Sequence, residues 1–287
     1  MSAYKEITYS SADGLQLYAR DYNSSRSGPV LLMMHGLTRN SADFEALCDL
    51  LGDRYRMLVA DQRGRGLSDW DPNPANYQLP VYASDMFALL DSQSVTEVIL
   101  IGTSMGGLMA MIMTSLRPEI IRAVILNDIG PEIDPQGVAR IKSYVGKSMT
   151  VSNWDEAAAQ CARANGPAFP ELTAPQWLQL AKRTYREDDN GVPVLAYDLA
   201  ISQAIEEDQE SAAPADLWPL FDVMAGLPLL VIRGALSDIL SQVCVDKMVA
   251  RHSGVKAVSV TGVGHAPMLD ELEAIKAIQD FLASLDC

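Results

Sequence analysis

Val98-Ile99-Leu100-Ile101-Gly102-Thr103-Ser104-Met105-Gly106-Gly107 is the stretch that decides how this chain folds. Its aliphatic run is too short for a helix and rich in β-branched residues, which predicts a buried strand. From Leu108 onward, Leu108, Met109, Met111 and Ile112 fall at helical spacing. Between strand and helix lies Gly-x-Ser-x-Gly, a turn in which glycines leave room for close packing and the serine is held in a strained conformation. Ser104 is thereby expected at the edge of a sheet, above a helix amino end whose N–H groups favour developing negative charge.

Working outward from this stretch, Val30–Met34, Met57–Ala60, Ala123–Leu126 and Leu229–Arg233 read as further strands buried on both faces, and Ala257–Val260 as one more strand. Helical patterns separate them: one begins at an N-cap Ser41, with Phe44, Leu47, Leu50 and Leu51 on one face, and others cover Val81–Ser92 and Ser241–Arg251. Leu269–Leu285 reads as a closing amphipathic helix. Ile7–Ser10 and Leu15–Asp21 alternate around Asp13-Gly14, a hairpin signal. Buried strands alternating with helices predict an α/β fold with a mostly parallel sheet and helices on both faces. Residues 131–219 break the alternation. They carry helical spacing without a convincing buried strand, and predict an inserted helical cap on a core formed by 1–130 and 220–287.

The 287 residues are 48% hydrophobic and 21% charged, ordinary for a globular chain. No apolar run reaches the roughly 20 residues needed to span a bilayer. The formal net charge of −15 repels phosphate backbones and anionic lipid, which argues against nucleic acid or membrane partners. Glu187-Asp188-Asp189 and Glu206-Glu207-Asp208 read as solvated charge, not metal cages. Cys48, Cys161, Cys244 and Cys287 are widely spaced, and with no secretory apolar segment at Met1 they read as free thiols of a cytoplasmic protein. Zinc-type Cys/His spacing and phosphate-binding glycine loops are absent from the sequence. A homodimer is left open.

A serine hydroxyl needs a base within hydrogen-bond reach, and the base needs an orienting acid. There are three histidines. His252 closes a helix, where a cation is favourable for structural reasons. His35 sits in His35-Gly36, a tight turn in which the ring can bond to backbone. His265, in Gly262-Val263-Gly264-His265-Ala266-Pro267, follows the last strand. Loops after parallel strands gather at one sheet edge, which makes His265 the candidate base for Ser104. Asp238, in Gly234-Ala235-Leu236-Ser237-Asp238, is the favoured acid because it lies near His265 on the neighbouring strand's loop. Asp128, in Asn127-Asp128-Ile129-Gly130-Pro131, is the competitor, with backbone bonding at the exit to the cap as its structural alternative. Backbone N–H groups of Leu37 and Met105 are the candidate oxyanion donors.

Jointly, His35-Gly36, Asp61-Gln62-Arg63-Gly64-Arg65-Gly66-Leu67-Ser68, Gly102-Thr103-Ser104-Met105-Gly106-Gly107, Ser237-Asp238 and Gly264-His265 resemble the α/β-hydrolase superfamily, in order and over nearly the whole chain. The resemblance implies an eight-stranded, mostly parallel sheet, a lid after the sixth strand and no cofactor. Relatives that resemble epoxide hydrolases and haloalkane dehalogenases carry aspartate where this chain has Ser104. The expectation is a serine hydrolase that cleaves a small-molecule ester or lactone through an acyl-enzyme. A C–C bond hydrolase of ring-fission products, a perhydrolase-like enzyme and a non-enzymatic ligand receptor are the alternatives. Trp154, Trp177, Tyr144 and Phe169 of the cap are expected along the substrate wall, and Met105, Met268 and Trp70 near its mouth.

Overall fold

A computed structural model describes residues 3–147, 150–203 and 216–285. Its main sheet has eight strands in the order β1-β2-β4-β3-β5-β6-β9-β10. The strands are β1 (Tyr4–Ser10), β2 (Gln16–Tyr22), β3 (Val30–Met34), β4 (Met57–Ala60), β5 (Val98–Thr103), β6 (Ile121–Asn127), β9 (Leu229–Gly234) and β10 (Val255–Val260). The β1–β2 hairpin and the β2–β4 pairing are antiparallel, and every later pairing is parallel. The α/β fold class and the mostly parallel sheet are therefore as the sequence predicts, and the eight strands are as the family resemblance implies.

β5 shows how one strand serves two layers. Val98 and Leu100 pack into a core with α2 (Leu79–Ser92), α3 (Met105–Leu116) and α8 (Gln242–Arg251). Ile99 and Ile101 pack on the opposite face with α1 (Glu45–Leu51) and α9 (Leu272–Ala283). Alternate side chains of a strand point to opposite faces, so an unbroken aliphatic run is what a doubly covered strand requires. The helix expected to begin at Ser41 instead opens as a 3₁₀ turn, Ser41–Phe44, with Asn40 as N-cap; the Ser41 amide is taken by the buried carboxylate of Asp61.

Between β6 and β9 the described residues carry α4 (Pro135–Tyr144), α5 (Trp154–Asn165), α6 (Ala174–Thr184) and α7 (Trp218–Val223). They also carry a two-stranded antiparallel pair, β7 (Tyr185–Glu187) with β8 (Pro193–Leu195). Strands of three residues around the Asp188–Gly191 turn are too short to leave an alternating pattern, which is why the sequence reading found none. Glu206-Glu207-Asp208 and Cys287 lie outside the described residues. Cys48, Cys161 and Cys244 are free and buried. Among the described residues no helix is long and apolar enough to cross a membrane, and no acidic, cysteine or histidine group has the makings of a metal cage.

Candidate active site

Ser104 sits between β5 and α3 at φ 52° and ψ −115°, the strained turn its glycines predict. Glycine is obligatory on both sides for steric reasons. A Cβ on Gly102 would fall 2.3 Å from the Gly106 backbone, and one on Gly106 would fall 2.1 Å from the Met34 carbonyl oxygen. The sharp turn lifts the Ser104 hydroxyl out of the sheet edge, where His265 Nε2 lies 2.9 Å from Oγ.

The acid is where the structure departs from the favoured reading. His265 Nδ1 donates to Asp128 Oδ2 at 2.8 Å, and Asp128 is fully buried. Asp238 is not the histidine's partner. Its carboxylate accepts two bonds from Arg140, Nε to Oδ2 at 2.5 Å and Nη2 to Oδ1 at 2.8 Å. Those bonds hold its carboxyl below the usual carboxylate range. Sheet order explains the correction. β6 lies directly between β5 and β9, so its end opens beside the serine and faces the loop after β10. Asp128 turns at once, at φ 56°, a conformation short polar residues tolerate. The loop after β9 turns Asp238 outward to α4, and offers Ser237 instead.

Ser237 belongs to the same cluster, although nothing in its local sequence marks it. Its hydroxyl donates to Asp128 Oδ2 at 2.5 Å, and the Gly234 N–H donates to Oδ1 at 2.7 Å. With His265, three donors orient one buried carboxylate. Asn127 steadies the same corner: its side-chain N–H group bonds the Pro267 carbonyl at 2.8 Å and Thr103 Oγ1 at 3.0 Å, tying the histidine loop to the nucleophile strand.

The candidate oxyanion donors are positioned by backbone geometry. His35 accepts the Gln62 N–H on Nε2 at 3.0 Å and donates from Nδ1 to the Gly36 carbonyl at 2.7 Å. That carbonyl and the Leu37 N–H belong to one trans peptide group, so anchoring the first aims the second the opposite way. This peptide lies against Ser104, since a Cβ on Gly36 would fall 3.8 Å from Ser104 Cβ. The reading of His35 as a backbone-bonded turn histidine is thus correct, and the same bonds fix the Leu37 peptide. Burial pushes the His35 ring down to about 4, keeping it neutral. The fully buried Arg65 donates from Nε to the Leu37 carbonyl at 2.9 Å and from Nη1 to Tyr82 Oη at 2.8 Å, and Nη2 touches Met105 Sδ at 3.8 Å. The Met105 N–H opens α3, in the first turn that has no intrahelical acceptor.

Two cavities meet at Ser104. One, of ≈170 Å³, is lined by His265, Met268, Phe169, Tyr144 and the half-buried Arg39–Asp43 pair. The other, of ≈550 Å³, is aliphatic, with Leu79, Leu108, Ile133 and Val138 among its walls beside Met105. Tyr144, Phe169, Met105 and Met268 therefore stand where the sequence reading put them. Trp154 and Trp177 do not: they pack on a small core of Val151, Ala157, Cys161, Leu180, Ala181 and Tyr185. Trp70 lines neither cavity, with Arg186 over its ring. The segment after β6 closes over the first cavity by direct bonds: Asn40 donates to the Arg183 carbonyl at 2.8 Å, and Arg39 donates to Thr184 Oγ1.

Comparison with known proteins extends this picture. A family model described as the alpha/beta hydrolase fold matches residues 29–271. A 3-hydroxybutyrate-oligomer hydrolase of Cupriavidus necator is 36% identical over 244 residues, 83% of this chain and 83% of that protein. A 2-(acetamidomethylene)succinate hydrolase of Mesorhizobium japonicum is 29% identical over 89% of this chain and 88% of its own. The crystal structure of an α/β hydrolase from Novosphingobium aromaticivorans superposes with a TM-score of 0.93 at 40% identity, covering 99% of each chain. On the breadth of these matches, this chain belongs to the α/β-hydrolase family.

Proposed function

We propose that this hydrolase cleaves a carboxylic ester of a small hydroxy acid through an acyl-enzyme on Ser104. The observation that carries the reading is the unbroken relay Asp128–His265–Ser104, with bonds of 2.8 and 2.9 Å. His265 Nε2 takes the hydroxyl proton as Ser104 Oγ attacks the carbonyl carbon. Asp128 keeps Nδ1 protonated, so that Nε2 is the free acceptor, and stabilises the imidazolium that forms. The Leu37 and Met105 N–H groups hold the oxyanion, whose charge appears only as the tetrahedral intermediate develops. Collapse breaks the carbon–oxygen bond, and His265 returns the proton to the leaving alcohol. A water molecule then attacks the acyl-enzyme, gives its proton to His265, and releases the acid with the Ser104 hydroxyl restored.

The choice of ester draws support from the relative that acts on 3-hydroxybutyrate oligomers. A serine-directed fluorophosphonate tests the chemistry. It is expected to add once, at Ser104, and to leave Ser104→Ala unmodified. Labelling that persists in Ser104→Ala, or fails in the wild type, overturns the reading. Release of 3-hydroxybutyrate from its dimer, followed by chromatography, tests the substrate.

A further inference from the structure

The two cavities differ in which part of the reaction they touch, and that difference assigns the two halves of the substrate. This step rests on the esterase reading above. The leaving oxygen must lie within reach of His265 Nε2, because that nitrogen returns its proton. His265 and the residues after it, Ala266, Met268 and Leu269, line the smaller cavity and not the larger. The larger cavity instead borders Ser104 from the side of Met105 and α3, with Leu37 lining both. A carbonyl carbon bonded to Ser104 Oγ therefore sends its alcohol arm into the first cavity and its acyl arm into the second.

The chemistry of the walls is as different as their positions. The acyl side is framed by Leu79, Leu108, Ile133, Val138 and Ile239, and among the described residues Lys142 is its only charged lining residue. Among the described residues the alcohol side is lined by Arg39, Lys147 and Arg183, with Asp43 as the single carboxylate. Asp43 is bonded to Arg39, so cations outnumber carboxylates among the described lining residues, in a chain that carries −15 overall. We infer that the substrate is an O-acylated hydroxy acid: an aliphatic acyl chain of several carbons occupies the larger cavity, and the hydroxy acid leaves through the smaller one with its carboxylate among the cations. The acyl arm is read by apolar burial and the leaving group by charge.

The test uses 3-acyloxybutanoic acids with acetyl, butanoyl, hexanoyl and octanoyl groups, each as the free acid and as its methyl ester. Burying each added methylene is expected to raise kcat/KM by about fourfold until the cavity is full. The free acid is expected to exceed its methyl ester by about tenfold, the value of one charge-assisted hydrogen bond. Val138→Trp and, as a second block at another wall, Leu79→Trp are expected to flatten the acyl series while the acid-to-ester ratio persists. Arg183→Gln with Lys147→Gln is expected to cut the acid-to-ester ratio and leave the slope of the acyl series. Fluorophosphonate labelling of Ser104 in every variant confirms that its active site is folded.

Several results overturn the assignment. A flat acyl series in labelled wild type removes the aliphatic arm. Chain-length dependence that appears with acetates of long alcohols, and not with long acyl groups, reverses the two cavities. A methyl ester that matches its free acid removes the carboxylate. A wild type that neither labels nor turns over any ester fails earlier, at the esterase reading itself, and that outcome is distinct from the other three.

Discussion

The ends of β6 and β9 are neighbours that look alike in sequence, and they do opposite work. Each strand runs out into a turn that carries an aspartate. Asp128, one residue past β6, is fully buried and accepts from His265, Ser237 and Gly234. Asp238, four residues past β9, keeps a third of its side chain exposed and pairs with Arg140. A buried carboxylate is tolerable only where donors surround it, and the end of β6 supplies them from two adjacent loops. The loop after β9 bends away, and its carboxylate becomes a tether for α4. The packing there is close at the backbone as well: a Cβ on Gly137 of α4 would fall 2.2 Å from the Asp238 carbonyl oxygen. Proximity in sequence to His265 is therefore a weaker guide to the acid than strand order, because neighbouring strands set which turns face the serine.

The largest effect should come from exchanging each carboxylate for its amide. Asp128→Asn leaves His265 without the acceptor that fixes its tautomer, and kcat is expected to fall by about ten-thousand-fold. Asp238→Asn touches neither Ser104 nor His265 and is expected to stay within a few-fold of wild type. Steady-state kinetics on one activated ester decides it. A crippled Asp238→Asn beside a nearly normal Asp128→Asn would break the comparison.

How far the sequence reaches follows from the same comparison. The elbow was legible because its glycines answer to local sterics, and the buried strands because double burial demands aliphatic runs. His265 was legible because a loop after a terminal parallel strand has one place to go. The acid was not, because two strands end at the same edge and a linear sequence does not state which lies next to β5. Ser237 and Arg65 were missed for a related reason. Each acts through a bond to a residue far away in the chain, and leaves no periodicity. Trp154 and Trp177 misled because large aromatics serve a small core as readily as a substrate wall.

Acidification tests the comparison only while the fold survives, and His35 sets that limit. Its ring is buried and titrates near 4, against about 6.5 for an exposed histidine. Between those values the unfolded chain holds a proton that the folded chain refuses. Stability attributable to His35 is thus complete above about pH 6.5 and falls as pH drops toward 4, by about 3 kcal/mol in all. Urea unfolding at pH 7 and pH 4.5 should show this slope in wild type and lack it in His35→Gln. Equal slopes in the two proteins would refute the assignment.

Ser237 sharpens the comparison from within the β9 loop, since Ser237 and Asp238 are adjacent and only the first reaches Asp128. Ser237→Ala removes one charge-assisted bond from a carboxylate that keeps two other donors, and kcat is expected to fall about tenfold. A stopped variant would mean that the hydroxyl does more than orient Asp128. An unchanged one would mean that Gly234 and His265 suffice.

The smallest effect belongs to the Arg140–Asp238 pair. Its geometry is good, with two bonds in a fork, and the side chains are 20% and 34% exposed. Water competes for such a pair, and ordering two side chains costs entropy, so the coupling is expected at about 0.5–1 kcal/mol. Arg140→Met, Asp238→Asn and the double variant form a cycle whose non-additive part measures it. Arg140 holds the Asp238 carboxyl below the usual range, so the coupling is present at neutral pH and is lost as pH falls through that lowered value. Denaturant unfolding of the four proteins at pH 7 supplies the number. A coupling of several kcal/mol would place Asp238 in the same class as Asp128, a carboxylate on which the fold of its corner depends, and the distinction between the two strand ends would survive in catalysis alone.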